Sequence, residues 1–165
     1  MFLSGQGRYH EAVLQVQMGL NQVNQEREPR LFLNGRGILI RALSSAGNLE
    51  EAWRLLKESR PLYRELKDRI LLARLEGIEG TVAKDLGRLA EAETILWETR
   101  EVFLENQLGA DVFCVSMSLA DVYIKSGQWQ QVRKILDEVI PLGEAIGLHQ
   151  DVLMARLLYE QASRR

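Results

Sequence analysis

Apolar residues return every three or four positions along this chain, and no useful stretch alternates with a period of two. Such spacing gathers apolar side chains on one face of an α-helix, so the pattern predicts helices throughout and no sheet. The helices read near 8–26, 30–46, 49–66, 69–86, 89–107, 109–126, 129–146 and 149–164. Links of two or three residues make sequential neighbours antiparallel. The expected fold is therefore all-α, an α-solenoid of about eight helices stacked as antiparallel pairs, read as a single domain over residues 1–165.

A recurring motif sets the pairing. Gly7-Arg8-Tyr9-His10-Glu11-Ala12, Gly47-Asn48-Leu49-Glu50-Glu51-Ala52, Gly87-Arg88-Leu89-Ala90-Glu91-Ala92 and Gly127-Gln128-Trp129-Gln130-Gln131-Val132 align with their glycines 40 residues apart. A helix that stops and reverses needs one residue at positive φ, which glycine adopts without a Cβ penalty. The Ala five positions later lets two helix backbones approach. Asn48 followed by Glu51 reads as a capping box. Leu55-Leu56, Ile95-Leu96 and Ile135-Leu136 then mark the buried stripe, continued by Leu62-Tyr63 and Val102-Phe103. Pro61 and Pro141 fall inside the second helix of their pairs, where a lost hydrogen bond and a ring clash predict a kink or an early helix end.

These features resemble the tetratricopeptide repeat family. The family's turn glycine, small residue and branched apolar residue match Gly47/Ala52/Leu56, Gly87/Ala92/Leu96 and Gly127/Val132/Leu136. Its small residue ahead of the turn matches Gly80 and Ala120, with Ile40 departing from it. The unit here is 40 residues rather than the family's 34, similar to the longer repeats in the arms of bacterial regulatory proteins. The resemblance implies a right-handed superhelix whose first helices line a concave groove. Carried onto this chain, the lining is Asn34, Gly37, Arg41 and Ser44, then Arg74, Gly77, Thr81 and Lys84. It continues with Cys114, Met117, Asp121 and Lys125, and ends with Met154, Leu157 and Gln161. The early half is basic through Arg41, Arg74 and Lys84, while Met117 and Met154 make the late half adaptable. The carboxylate clamp of chaperone-binding members is not reproduced, because Gly37 and Gly77 stand where a Lys is needed.

Three places break the pattern. Glu79 takes a core column held by Leu39 and Leu119, and an ion pair with Arg36 or Arg41 is the expected compensation. Trp53 and Trp97 replace charged siblings and read either as outer-face contacts or as half-buried against the next repeat. The first pair lacks its first half and the last helix has no partner after it, which reads as a fragment of a longer protein able to self-associate through its unpaired end helices.

Composition narrows the chemistry. A net charge of −2 gives no electrostatic footprint for nucleic acid or a charged membrane, so neither is expected as a partner. Cys114 is the one cysteine, no apolar run approaches a membrane span, and the opening residues do not form a secretory signal, so the cytoplasm is expected. His10 and His149 stand without a metal-ligand set, and Gly35-Arg36-Gly37 lies within a helix, where close packing explains it. Neither an enzyme nor a cofactor is expected. The function read from the chain is a protein-protein interaction scaffold that holds a peptide or partner domain, as in the docking arm of a bacterial regulator. The alternative is a repeat domain that senses a small ligand.

Overall fold

The computed structural model describes residues 3–165, with side chains from Tyr9 onward. Eight helices account for the described residues: α1 (Leu3–Leu20), α2 (Pro29–Ser45), α3 (Leu49–Glu65), α4 (Arg69–Asp85), α5 (Leu89–Glu105), α6 (Gly109–Lys125), α7 (Trp129–Ala145) and α8 (His149–Ser163). There is no strand among them. From α2 onward each helix starts 20 residues after the one before, at 29, 49, 69, 89, 109, 129 and 149.

One turn geometry produces this regularity. After α2, the Gly47 N–H donates to the Ser44 carbonyl (3.0 Å) and the Asn48 N–H to the Leu43 carbonyl (2.9 Å). The residue between them, Gly47, sits at φ 84°. This is a Schellman closure, and it satisfies the carbonyls that the helix end leaves open. Gly87, Gly127 and Gly147 take the same conformation, and so do Lys67 and Gln107 at φ 51° and 55°. The turn therefore recurs at every helix end from α2 to α7, twice without glycine.

Two readings of helix ends are corrected here. The capping box does not form, since the Asn48 side chain makes no cap hydrogen bond. The side-chain cap forms instead at Asp68, which accepts from the Leu71 N–H (3.0 Å) at the start of α4. The prolines do not end their helices early, because α3 runs past Pro61 to Glu65 and α7 past Pro141 to Ala145.

The first helix is displaced from its expected position. Gly7 lies within α1 instead of at a turn, and Ala12, its supposed contact residue, is exposed. The turn comes later, where the Asn24 side chain accepts from the Glu26 and Arg27 N–H groups (3.0 and 2.9 Å). Pro29 then opens α2 with φ already set for a helix.

The chain forms two compact units, Met1–Leu86 and Gly87–Arg165. In the first unit, α1 packs on α2, α2 on α3, α3 on α4, and α2 also on α4. Its core joins Leu33, Ile40 and Leu43 of α2 to Ala52, Leu56 and Tyr63 of α3 and to Leu75 and Val82 of α4. In the second unit α5, α6, α7 and α8 pack in sequence. There Leu96, Leu119, Val122, Val132 and Leu136 are fully enclosed. Ala52, Ala92 and Val132 have no exposed surface, as close helix approach after the turn requires. Truncating a stripe leucine such as Leu96 or Leu136 to Ala removes about 2–5 kcal/mol. Among the described residues no helix is long and apolar enough to cross a membrane.

Candidate binding face

In the first unit, α2 and α4 lie side by side and turn repeat-equivalent positions outward. Asn34 and Arg41 on α2 are exposed, as is Arg74 on α4, the counterpart of Asn34. Thr81, the counterpart of Arg41, is half-buried and donates to the Gly77 carbonyl of its own helix (3.0 Å). Lys84 departs from the expected lining, being buried with its Nζ 3.3 Å from Asp85. Asp85 also accepts from Ser44 Oγ (3.1 Å), so the Lys84 and Ser44 positions serve a contact between α2 and α4. The face left in this unit is Asn34, Arg41, Arg74 and Thr81. Gly37 is explained by packing, since a Cβ there would lie 3.2 Å from the Tyr63 hydroxyl and 3.3 Å from Ile78. Gly35 similarly makes room for Leu20 of α1.

In the second unit α6 carries Met117 and Asp121 half-buried and Cys114 and Lys125 exposed. Met154 of α8 is exposed, with Leu157 beside it.

The residues that break the repeat are engaged in contacts. Glu79 is buried, as its core column predicts, but its partners are on α3: Arg60 pairs with it directly and Lys57 Nζ stands 3.9 Å away. Arg36 instead lies 3.8 Å from Glu58 and over the Phe32 ring, so the expected pairing of Glu79 with Arg36 or Arg41 is corrected. The signal was present in the repeat, because Arg60 and Arg100 occupy equivalent positions and both reach across to the following helix. Arg100 is buried, donating to Ser116 Oγ (2.9 Å) and to Glu138 (3.0 Å).

Trp53 and Trp97 are both half-buried. Lys57 lies over the Trp53 ring at 4.7 Å, and Arg100 over Trp97 at 5.2 Å. Trp97 Nε1 donates to the Tyr123 hydroxyl (2.8 Å), which donates to Glu93 (3.0 Å). Burial raises the Tyr123 hydroxyl above its ordinary range, and the Glu93 carboxylate adds to that. Burial likewise pushes Tyr63 up to about 12, against smaller opposing effects of Arg36 and Arg41. The Tyr63 hydroxyl donates to the Leu33 carbonyl, tying α3 to α2. Sequence spacing does not reveal these links, because they depend on which rotamer spans two helices.

His149 opens α8 and is exposed, and among the described residues no cluster of three His, Cys, Asp or Glu could hold a metal ion. A cavity of about 290 Å³ lies in the second unit between Asp137, Ile140, Pro141, Arg156, Tyr159 and Glu160. Another, of about 260 Å³, lies in the first unit against Tyr63, Arg64, Lys67, Asp68, Arg69 and Leu72.

A PPR repeat, a helical repeat related to the tetratricopeptide repeat, matches residues 37–60, from the middle of α2 into α3. No curated protein matches the sequence. Among solved structures, the crystal structure of BtubC (BKLC) from P. vanneervenii is similar with a TM-score of 0.69 at 15% identity, covering 96% of this chain. The chain spans 65% of that protein's length. At that identity the likeness shows the fold alone, and the fold is an all-α helical-repeat solenoid. Repeats of this kind commonly bind protein or RNA.

The PPR match corrects the expectation of a protein partner with nucleic acid excluded. PPR repeats typically bind RNA, one base per repeat read by two or three side chains. A net charge of −2 does not exclude such binding, because reading a base edge needs a few placed donors and acceptors and no overall positive charge.

Proposed function

We propose that this chain is a non-catalytic binding scaffold that holds an extended polypeptide segment along the α2–α4 face of its first unit. The observation that carries the reading is the outward placement of Asn34 and Arg41 on α2 and Arg74 on α4, with the half-buried Thr81 beside them, on helices that pack together beneath. Two arginines among amide and hydroxyl groups suit carboxylates and backbone carbonyls of an acidic segment. A scaffold of stacked repeats gives such a ligand a long surface without any moving catalytic part.

Single-stranded RNA is the second reading, favoured by the PPR match at residues 37–60. The two exposed arginines, set among amide and hydroxyl groups that suit carboxylates and backbone carbonyls, place the polypeptide first. Fluorescence anisotropy with a labelled Asp/Glu-rich peptide and with labelled oligouridylate separates the two. The expected result is peptide binding that weakens at least about tenfold in Arg41→Glu/Arg74→Glu with the melting temperature unchanged. Binding of the RNA alone, lost in the same variant, transfers the face to nucleic acid. Peptide binding that survives the double charge reversal removes the face from consideration.

A further inference from the structure

The corner between α3 and α4 gathers positive charge around a small apolar hollow. This is the cavity of about 260 Å³ in the first unit. Its walls come from Tyr63 and Arg64 at the end of α3, Lys67 and Asp68 in the turn, and Arg69 and Leu72 at the start of α4. Tyr63 is buried and Leu72 half-buried, while Arg64, Lys67 and Arg69 are exposed. The Tyr63 hydroxyl is committed to the Leu33 carbonyl, so its side chain brings the hollow a ring and no spare donor. Asp68, the one acid in the lining, accepts from the Leu71 N–H (3.0 Å) and pairs with Arg30. Its charge is answered within the fold, and Arg64 and Lys67 carry the positive charge of the rim with Arg69 beside them. The equivalent corners lack this set. The places of Arg64, Lys67 and Arg69 hold Leu104, Gln107 and Gly109 after α5, and Glu144, Gly147 and His149 after α7. The turn forms there without the charge, so the cations are not needed to make it. Lys67 even takes φ 51°, the conformation that Gly47, Gly87, Gly127 and Gly147 supply elsewhere.

We propose that this corner binds a small organic anion, a carboxylate or phosphate ester whose apolar body is an aromatic ring or a short alkyl chain. The body lies in the hollow against Tyr63 and Leu72, and the head group meets Arg64 and Lys67 at the rim. Neither half suffices alone. Exposed cations hold a bare ion weakly, because water and salt screen them. A small hollow gives an uncharged molecule little apolar area to bury. A ligand that joins the two gains from both, and the planar fork of Arg64 matches either head group. The site is separate from the α2–α4 face. At about 100° per residue, Leu72 lies roughly 160–180° around α4 from Arg74 and Thr81.

Two-dimensional amide NMR on the whole chain tests this, with phenylacetate and phenyl phosphate as probes. Phenylacetamide, which keeps the body without the charge, and inorganic phosphate, which keeps the charge without the body, are the controls. At least one probe is expected to give saturable shifts centred on the amides from Arg64 to Leu72. Both controls are expected to bind at least about tenfold more weakly. The tighter of the two probes assigns the head group. Arg64→Gln/Lys67→Gly is expected to weaken probe binding at least about tenfold. Both positions are exposed and the glycine relieves the positive φ, so the variant keeps its fold, which its own spectrum verifies. Arg41→Glu/Arg74→Glu is expected to bind the probe like the wild type. The absence of saturable shifts at the corner with both probes overturns the proposal. So does phenylacetamide binding as tightly as phenylacetate, or inorganic phosphate as tightly as phenyl phosphate. A corner variant that binds like the wild type overturns it too, and binding lost in Arg41→Glu/Arg74→Glu instead moves the anion to the α2–α4 face.

Discussion

Tyr63 of α3 stands against Leu33 of α2, and Gly143 of α7, at the place equivalent to Tyr63, stands against Phe113 of α6, at the place equivalent to Leu33. The sizes are traded: where the later helix carries the Tyr63 ring the earlier one carries Leu33, and where the later has glycine the ring is Phe113. A Cβ on Gly143 would come within 2.5 Å of the Phe113 ring and 2.6 Å of Val152. Gly143→Ala is therefore expected to destabilise by about 1–3 kcal/mol through overpacking, despite alanine's better helix propensity. Urea unfolding measures it, and Phe113→Leu in the same chain should recover part of the loss. The Arg60–Glu79 pair gives a second case. Arg60→Met removes the direct partner of a buried carboxylate, leaving Lys57 3.9 Å away, and should cost about 3 kcal/mol. Adding Glu79→Leu, the residue at positions 39 and 119, should restore stability to near wild type or above. At Asp68 the Leu71 N–H, and after it Arg30, hold the carboxyl below its usual range. A lowered folded pKa contributes stability that is present above the ordinary carboxylate range and lost as pH falls through the folded value. Asp68→Ala should cost about 0.5–2 kcal/mol at neutral pH, and the difference from wild type should shrink on acidification.

At the scale of the element, the periodic glycines made the helices legible. Seven of the eight start within a residue of the expected position, because a glycine turn or a strong apolar stripe marks each start. The first was misplaced for a physical reason. Gly7 begins a motif that matches by composition, but a glycine alone does not stop a helix, while Asn24 and Pro29 do end and restart one. The two turns at Lys67 and Gln107 could be placed only by their distance from the glycines. There the Schellman hydrogen bonds, shown by the Leu108 N–H to the Phe103 carbonyl (2.9 Å), hold a non-glycine residue at positive φ. That conformation costs an L-residue roughly 1–2 kcal/mol, partly offset by glycine's greater entropy loss on folding. Gln107→Gly should thus stabilise by about 0.5 kcal/mol or more, read as a higher urea midpoint with an unchanged slope. A neutral or destabilising result would mean that the Gln107 side chain contributes more than the geometry shows.

For the molecule as a whole, the spacing of polar positions anticipated which of them are exposed, but only in part. Asn34, Arg41 and Arg74 are exposed as the repeat phase predicts, while Lys84 is buried because Asp85 lies beside it, and a single repeat phase carries no information about neighbouring charge. Ligand class was less legible still, since net charge averages over surfaces that act locally. Stability is subject to the same locality. In a stack of repeats each helix is stabilised mainly by its nearest neighbours. Here α3 packs on both α2 and α4, and α6 on both α5 and α7, whereas α1 rests on α2 and α8 on α7. The side chains agree: Leu14 and Met18 of α1 and Leu153 of α8 are exposed at about 60%, while α3 and α6 bury every leucine and phenylalanine except the half-buried Leu49 and Leu62. Amide exchange should follow this order, with α3 and α6 more protected than α1 and α8, which open at the lowest free energy. Mass-spectrometric hydrogen exchange on dilute protein reads it directly. Uniform protection from α1 to α8 would mean that the chain opens only as one cooperative block, against the nearest-neighbour picture.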